Sequence, residues 1–523
     1  MIYHEYMDLG KLLNARGKVY FIGIKGTGIC AMAELFFHSG LSVSGSDRNE
    51  VFYTDTILKE LDIPYHEHFD ASHVPPDADL VIYSAAYSAE TNPEIAEARK
   101  LGIPLLKYTD ALGAYSALFD SAGIAGVHGK TTTTAMTGVL FRAAGLPAGV
   151  LAGSAVSAFG GRSTLSLGNK YFAAETCEYR RHFLAFHPRN IVLTGVESDH
   201  QDCFPCYNDI RDAFIEYILK LPSDGNLIYC ADDPGACETV ELVKQKRDDI
   251  VLVPYGFDAP GEFKITSYKV YDEKACFCLQ GFYGTVFTLR IPGRHCALNA
   301  AAALALTGVF IKKEFGPQSR PQKGLQNCFT DWTAEQLGNA VRELKSFTGS
   351  RRRTELLGEK DGVLFMDDYG HHPTAILSTL RGLKEFYPRR RLVVSFMSHT
   401  YTRTAALLDD FAASLLPADI VFLHKIYASA REVYEGGVSG ITLFEKTGAV
   451  FEKEKKCPSA EQAVSVFYAD EPEDAAEQLK NILRKDDLFI TMGAGDNWRL
   501  GKKLLAEFNG PESGGTGVSE GAA

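Results

Sequence analysis

Short apolar runs alternate along this 523-residue chain with longer stretches in which apolar residues recur every three or four positions. The runs have the length of buried strands and the stretches the period of helices. Lys18-Val19-Tyr20-Phe21-Ile22-Gly23 is the first such run, and a helical stretch, Met32 to His38, follows it. A second strand, Leu41 to Ser46, ends at Asp47; a third, Asp79 to Ala86, ends in small residues, and Asn92-Pro93 then opens a helix. Ala122-Gly123-Ile124-Ala125 closes a further strand, and Ala135 to Phe141 starts a helix. The runs Lys170 to Glu175 and Ile191 to Glu197 each end on a carboxylate. Between 259 and 293 the strands are short, and an alanine-rich helix from Ala300 to Leu306 comes after them. Gly362 to Met366, Arg391 to Phe396, Asp419 to Leu423 and Asp486 to Thr491 complete the strands.

Strands alternating with helices predict an α/β protein with parallel sheets, whose ligands sit at the C-terminal strand ends. At about 150 residues per domain the length implies three domains. The pattern places them at 1–118, 119–342 and 343–509, with a linker or loop at 312–328 and a glycine-rich disordered tail at 510–523. The two outer domains are expected to be Rossmann-like, and the central one to carry a phosphate loop on a mainly parallel sheet.

Gly126-Val127-His128-Gly129-Lys130-Thr131-Thr132 lies between a strand and a helix. Glycines there let backbone N–H groups close on phosphate oxygens. The helix N-terminus adds partial positive charge, Lys130 a full one, and the Thr131 hydroxyl can reach Mg²⁺. A tight turn capped by threonines is the plain alternative. The usual first glycine of such a loop would fall at Ile124, so this is a variant loop. Glu175, Glu197, Asp199 and His200 end or follow neighbouring strands and can converge on the phosphates and a metal; hard oxygens with one imidazole suit Mg²⁺. Each alone reads equally well as a solvated loop group. Gly26-Thr27-Gly28 with Ala31, followed by Asp47, is a weak dinucleotide fingerprint, open to NAD, to a UDP-sugar or to a structural turn. Gly293-Arg294-His295-Cys296-Ala297-Leu298-Asn299 leads the alanine-rich helix and reads as a base or ribose contact or as a helix cap. Arg351-Arg352-Arg353, in isolation, reads as a solvated run.

The net charge of −12 argues against a general nucleic-acid or membrane-surface binder. Met1 to Glu5 lacks a signal-peptide pattern, and no run approaches the roughly 20 apolar residues of a membrane span. Eleven scattered cysteines fit a reducing cytoplasm; Cys203-Phe-Pro-Cys206 has no second pair to complete a zinc site.

Taken together, in this order, the blocks Phe21 to Gly28, Gly45-Ser-Asp47, Gly126 to Thr131, Glu175 to Phe183, Glu197 to His200, Gly293 to Asn299, Asp367-Asp-Tyr-Gly-His-His-Pro373, His399-Thr-Tyr-Thr-Arg403 and Gly493-Ala-Gly-Asp496 resemble those of the Mur ligase family. The resemblance spans about residues 18 to 505 and is strongest to the branch that adds L-alanine to UDP-N-acetylmuramate. It implies an ATP- and Mg²⁺-dependent amide-forming ligase of the cytoplasm, a monomer or homodimer with no nucleic-acid or membrane partner. By resemblance Lys130 holds the γ-phosphate, and Thr131, Glu175 and His200 serve Mg²⁺. His295 and Asn299 contact ribose and adenine, and Arg353 and Asp368 reach the nucleotide. His371, His399 and Arg403 position the amino acid, while Gly26, Thr27, Gly28, Asp47 and Ser84 bind UDP. Lys25, Val127, Cys296, Thr400 and the Cys177 to Arg181 segment depart from the common pattern. Three alternatives stay open: a ligase recycling a whole peptide, a catalytically silent nucleotide-binding relative, and an NAD oxidoreductase.

Overall fold

The computed structural model describes residues 9–316, 329–428, 432, 436–455 and 465–508. The expected tail, most of the expected linker and the Met1 to Glu5 start lie outside these residues. Three sheets form. The first contains β1 (Lys18–Ile22), β2 (Ser42–Ser46), β3 (Tyr65–His66), β4 (Leu80–Tyr83) and β5 (Leu105–Lys107). Their order is β3-β2-β1-β4-β5, parallel throughout, so the turn from β1 into the Thr27–His38 helix lies at the point where strand order reverses.

The second sheet has ten strands: β6 (Asp120–Ala125), β7 (Ala148–Val156), β8 (Arg162–Ser166), β9 (Tyr171–Glu175), β10 (Asn190–Leu193), β11 (Asn226–Cys230), β12 (Val251–Gly256), β13 (Phe263–Tyr271), β14 (Lys274–Leu279) and β15 (Phe287–Leu289). Their order is β15-β14-β13-β12-β11-β10-β6-β9-β7-β8. β6 is flanked in parallel by β9, which ends on Glu175, and by β10, which stops at Leu193 so that Glu197 lies in the loop beyond it and not on the strand as expected; Ile124 is opposite Glu175 and Ala125 opposite Leu193. That register brings the phosphate loop, Glu175 and the 194–200 segment to one edge. β7 and β8 are antiparallel.

The third sheet contains β16 (Glu355–Lys360), β17 (Val363–Asp368), β18 (Arg391–Phe396), β19 (Ile420–Leu423), β20 (Ser465–Tyr468) and β21 (Asp487–Met492), ordered β16-β17-β21-β18-β19-β20. All its pairs are parallel except the antiparallel edge β16/β17.

The described residues divide into two compact units. The N-terminal and central sheets share the first, and the second begins at Arg351, joined by Val270–Ala275 and Arg290–His295. No gap in packing marks residue 118. One apolar cluster includes Phe21 and Ile82 of the first sheet with Phe172 and Phe214 of the central region. Tyr115 meets Phe172 edge-on at 5.1 Å, and Arg162 pairs with Glu34 at 2.6 Å and Glu60 at 2.8 Å.

Three expectations need correction. The helix after the phosphate loop starts at Lys130, not Ala135. The alanine-rich helix spans Arg294–Phe315, so His295 and Asn299 lie inside its first turns, and Lys312 and Lys313 belong to the helix, not to a linker. That helix alone among the described residues is long and apolar enough to cross a membrane, although no such run was expected; its apolar window is 83% buried inside the fold. Fifteen of its 22 residues are buried, which accounts for its hydropathy as core.

Candidate active site at the phosphate loop

Gly126 and Gly129 have φ of +132° and +80°, where a side chain is strained. A Cβ on Gly126 would sit 2.1 Å from Thr194 Oγ1, and one on Gly129 2.6 Å from Asn299 Oδ1. Gly129 is the N-cap of the Lys130–Ala144 helix; no side chain caps that helix, and its first turn contains no acid. Its first N–H groups and their partial positive charge therefore suit an anion. Thr131 is buried and Thr132 half-buried in that turn. Asn299 receives the Thr133 hydroxyl at 3.2 Å, fixing the long helix against the loop.

Lys130, with 12% of its side chain exposed, folds back on this loop. Its ammonium donates to the carbonyls of Gly126 and Val127 and pairs with Glu178 at 2.9 Å. Glu178 is itself buried and lies 3.3 Å from His200 Nε2. Burial alone would lower the Lys130 ammonium, but the Glu178 charge, with Cys177 and Glu175 adding to it, holds it above its ordinary value. Burial alone would raise Glu178, and Lys130 with His200 holds it below the usual carboxylate range. Both are therefore charged at neutral pH. Glu175, half-buried at the end of β9, receives the Gly153 N–H at 2.8 Å. The structure thus brings Lys130, Glu175 and His200 together and adds Glu178, which the sequence reading passed over. The available signal was its position three residues beyond Glu175.

The other predicted acids are distributed differently. Glu197 pairs with His128 at 3.3 Å. Asp199 is buried and receives the His200 backbone N–H at 2.7 Å, holding His200 at φ +55°. A carboxylate–lysine–imidazole group beside uncapped helix N–H groups fits the phosphates of a nucleotide, and Glu175, Glu178 and His200 have the hard donors and single imidazole that suit Mg²⁺.

At the first sheet, Gly26 is the N-cap of the Thr27–His38 helix, again without a capping side chain. Gly26, Thr27, Gly28 and Ser84 line one cavity of about 370 Å³ with Gly153 and Glu175. Asp47 uses its carboxylate on the backbone N–H groups of Lys25 at 2.7 Å and Arg48 at 2.8 Å.

In the second unit, His371, His399 and Arg403 gather. The His371 and His399 rings lie 6.1 Å apart, and His399 Nδ1 is 3.3 Å from the buried Arg403 guanidinium. Asp368 is buried and receives Thr354 N–H at 2.7 Å and Gly370 N–H at 2.6 Å, ordering the turn that presents Arg353. Arg353 lies over Tyr369, 5.2 Å from its centre. Arg352 corrects the solvated-run reading: it pairs with Asp367 at 2.8 Å and donates to the Gly493 and Gly495 carbonyls. The His295 ring lies against Gly293.

Family models match three successive segments: the Mur ligase family catalytic domain over residues 18–120, the Mur ligase middle domain over 124–307, and the Mur ligase glutamate ligase domain over 352–495. The chain is 50% identical over 491 residues to the UDP-N-acetylmuramate–L-alanine ligase of Treponema pallidum strain Nichols, covering 94% of this chain and 96% of the relative. The chain belongs to the Mur ligase family. The ligase of the same name from Borreliella afzelii is 37% identical over 92% of this chain and 97% of its own. The Mur ligase fold is also that of a solved UDP-N-acetylmuramate-alanine ligase from Thermotoga maritima, with a TM-score of 0.68, 22% identity, and coverage of 94% of this chain and 98% of that one.

The structure accounts for several departures of this Mur ligase. Val127 is buried, its N–H donating to the Gly195 carbonyl at 3.0 Å, so an apolar side chain serves there. Lys25 is 1% exposed and pairs with Asp55 and Glu67, each at 3.1 Å, tying the first Mur ligase loop to β3 and the helix before it. Cys296 is buried as a small core residue. Thr400 takes φ +67° as the N-cap of the Tyr401–Ala406 helix, donating its N–H to the Tyr427 carbonyl at 2.9 Å. Cys206 is the N-cap of the Tyr207–Ile218 helix, its backbone N–H donating to Asp209 at 3.0 Å, whereas the Cys203 thiol lies 3.5 Å from the Asp202 carboxylate.

Proposed function

We propose that this chain is an ATP-dependent ligase that joins L-alanine to the carboxylate of UDP-N-acetylmuramate, in peptidoglycan precursor synthesis in the cytoplasm. The observation that carries this reading is the 50% identity across 94% of the chain to a relative of that name. The Lys130, Glu175 and His200 cluster at the uncapped helix supports it. The working domains are 1–118 for the UDP-sugar, 119–342 for ATP and 343–509 for the amino acid.

The substrate carboxylate attacks the γ-phosphorus of ATP, giving an acyl phosphate and ADP. The alanine amine then attacks the acyl carbon, and the tetrahedral intermediate expels phosphate to leave the amide. All reacting partners before the amine are anionic, so positioning and charge neutralisation do most of the work. Gly126 to Thr132 cradle the phosphates, and Lys130 exchanges part of its contact with Glu178 for the γ-phosphate. Thr131, Glu175 and His200 would hold Mg²⁺, which when bound offsets phosphoryl charge. Asn299 and His295 serve the nucleoside. Gly26, Thr27, Gly28, Asp47 and Ser84 serve UDP. Within the second unit, His371, His399 and Arg403 receive the amino acid.

Phosphate release from ATP is expected only when UDP-N-acetylmuramate and L-alanine are both present. Equal release without the amino acid overturns the reading.

A further inference from the structure

The cavity beside the Gly26 loop reaches Glu175 and Cys177 and is walled by the 3₁₀ segment Tyr179–Ala185. His182 of that segment is the one basic side chain among the cavity's lining residues. The backbone leading to it is unusual. Arg180 and Arg181 have φ of +50° and +58°, two successive non-glycine residues in the left-handed region. Such a pair is costly for L-residues and persists only where its surroundings impose it. Here Phe183 is buried and stacks on Tyr217 at 4.6 Å, while Arg181 pairs with Glu216 at 2.7 Å. The strained turn is clamped on its far side, and the residue between strain and clamp faces the cavity.

A chemical requirement meets this geometry. The proposed substrate must carry its own carboxylate from the sugar loop toward the phosphoryl donor, past the Glu175 carboxylate. Two carboxylates side by side repel; the Mg²⁺ that Glu175 would hold offsets that charge, and a hydrogen-bond donor on the substrate side fixes the orientation of the incoming carboxylate. Lys130 is already committed to Glu178 and to the loop carbonyls. We propose that His182 receives the carboxylate of the nucleotide sugar in the cavity between the Gly26–Gly28 loop and Glu175. This rests on the ligase reading above and adds to it the group that binds the reacting carboxylate before transfer. The imidazole N–H donates to one carboxylate oxygen, leaving the other to attack.

The test compares wild type, His182→Ala and His182→Gln by calorimetric titration with UDP-N-acetylmuramate, with UDP-N-acetylglucosamine, which lacks the lactyl ether and with it the carboxylate, and with ATP. His182→Ala is expected to weaken UDP-N-acetylmuramate roughly tenfold or more, the usual scale for losing a hydrogen bond to a charged group. It should leave the other two ligands within about twofold, and His182→Gln, which keeps an N–H donor, should recover part of the loss. In turnover, KM for the acid-bearing sugar should rise while KM for ATP stays. Equal weakening of both sugars would mean that His182 only shapes the cavity, and no weakening would mean that it does not touch the carboxylate; either overturns the proposal. A wild-type protein that binds UDP-N-acetylglucosamine but not UDP-N-acetylmuramate overturns the ligase reading as well.

Discussion

Removing Glu178 leaves the Lys130 ammonium buried with only two carbonyl partners. Breaking one half of a buried ion pair costs about 3–5 kcal/mol, because the remaining charge keeps its desolvation penalty without compensation. Glu178→Gln retains the shape and a carbonyl acceptor, so its cost should fall nearer the 1.5–3 kcal/mol typical of charged hydrogen bonds. At about 2–4 °C per kcal/mol for a domain of this size, Glu178→Gln should melt some 3–12 °C below wild type in the absence of nucleotide. The same substitution frees Lys130 for an incoming phosphate. A saturating non-hydrolysable ATP analogue, which carries the γ-phosphate, should therefore stabilise the variant more than wild type and close much of the gap. Differential scanning calorimetry of both proteins, with and without the analogue, reads all four values. A variant that melts with wild type when ligand-free would refute the idea that Glu178 holds the ammonium. Identical shifts induced by the analogue would refute the competition between carboxylate and phosphate.

Lys130→Met should lower substrate-dependent phosphate release by at least about a hundredfold while the protein stays folded, as judged by circular dichroism. Gly129→Ala, placed at positive φ with its Cβ against Asn299, should weaken ATP binding in a filter assay and leave the affinity for UDP-N-acetylmuramate near wild type. Arg352→Met strands the buried Asp367 carboxylate and should destabilise the second unit by about 3 kcal/mol or more, whereas Arg353→Met should spare its melting temperature; denaturant titration separates the two. His424 is buried, with Nε2 2.8 Å from Ser395 Oγ and Nδ1 2.9 Å from the Ala469 carbonyl, and burial pushes its imidazole down to about 4. The unfolded chain binds a proton near pH 6.5 and the folded one does not. Stability is therefore full above about 6.5 and falls as pH drops toward 4, by up to about 3 kcal/mol. His424→Gln should flatten that part of the stability profile measured by urea unfolding.

The phosphate loop and its flanking strands were legible because glycine, lysine and threonine at those spacings have few other uses. The helix start was misplaced by five residues because Thr131 to Thr134 look like loop chemistry. In the fold Thr134 and Thr137 donate back to carbonyls four residues earlier, which makes threonine tolerable inside a helix. Glu178 escaped notice because its direction depends on a turn containing two left-handed arginines, and no periodicity encodes that. Arg352 and Arg353 could not be ranked from sequence. Their roles diverge because adjacent residues of β17 serve different partners, Asp367 taking Arg352 and Asp368 taking Thr354. β7, with its run of glycine, alanine and serine, offers no alternation to read and is held by its neighbours β8 and β9.

The long helix works as a strut. From Asn299, pressed on Gly129 and Thr133, it runs about 22 Å to Glu314 at its other end. There Lys170 pairs with Glu314 at 2.7 Å, Tyr171 donates to the same carboxylate, and Lys313 pairs with Asp120 at the start of β6. The strut is thus pinned to the opposite end of the strand that delivers the phosphate loop. Axial slack released by Glu314→Ala would be felt at Gly129, so the grip on nucleotide is set partly by an anchorage more than four helical turns away.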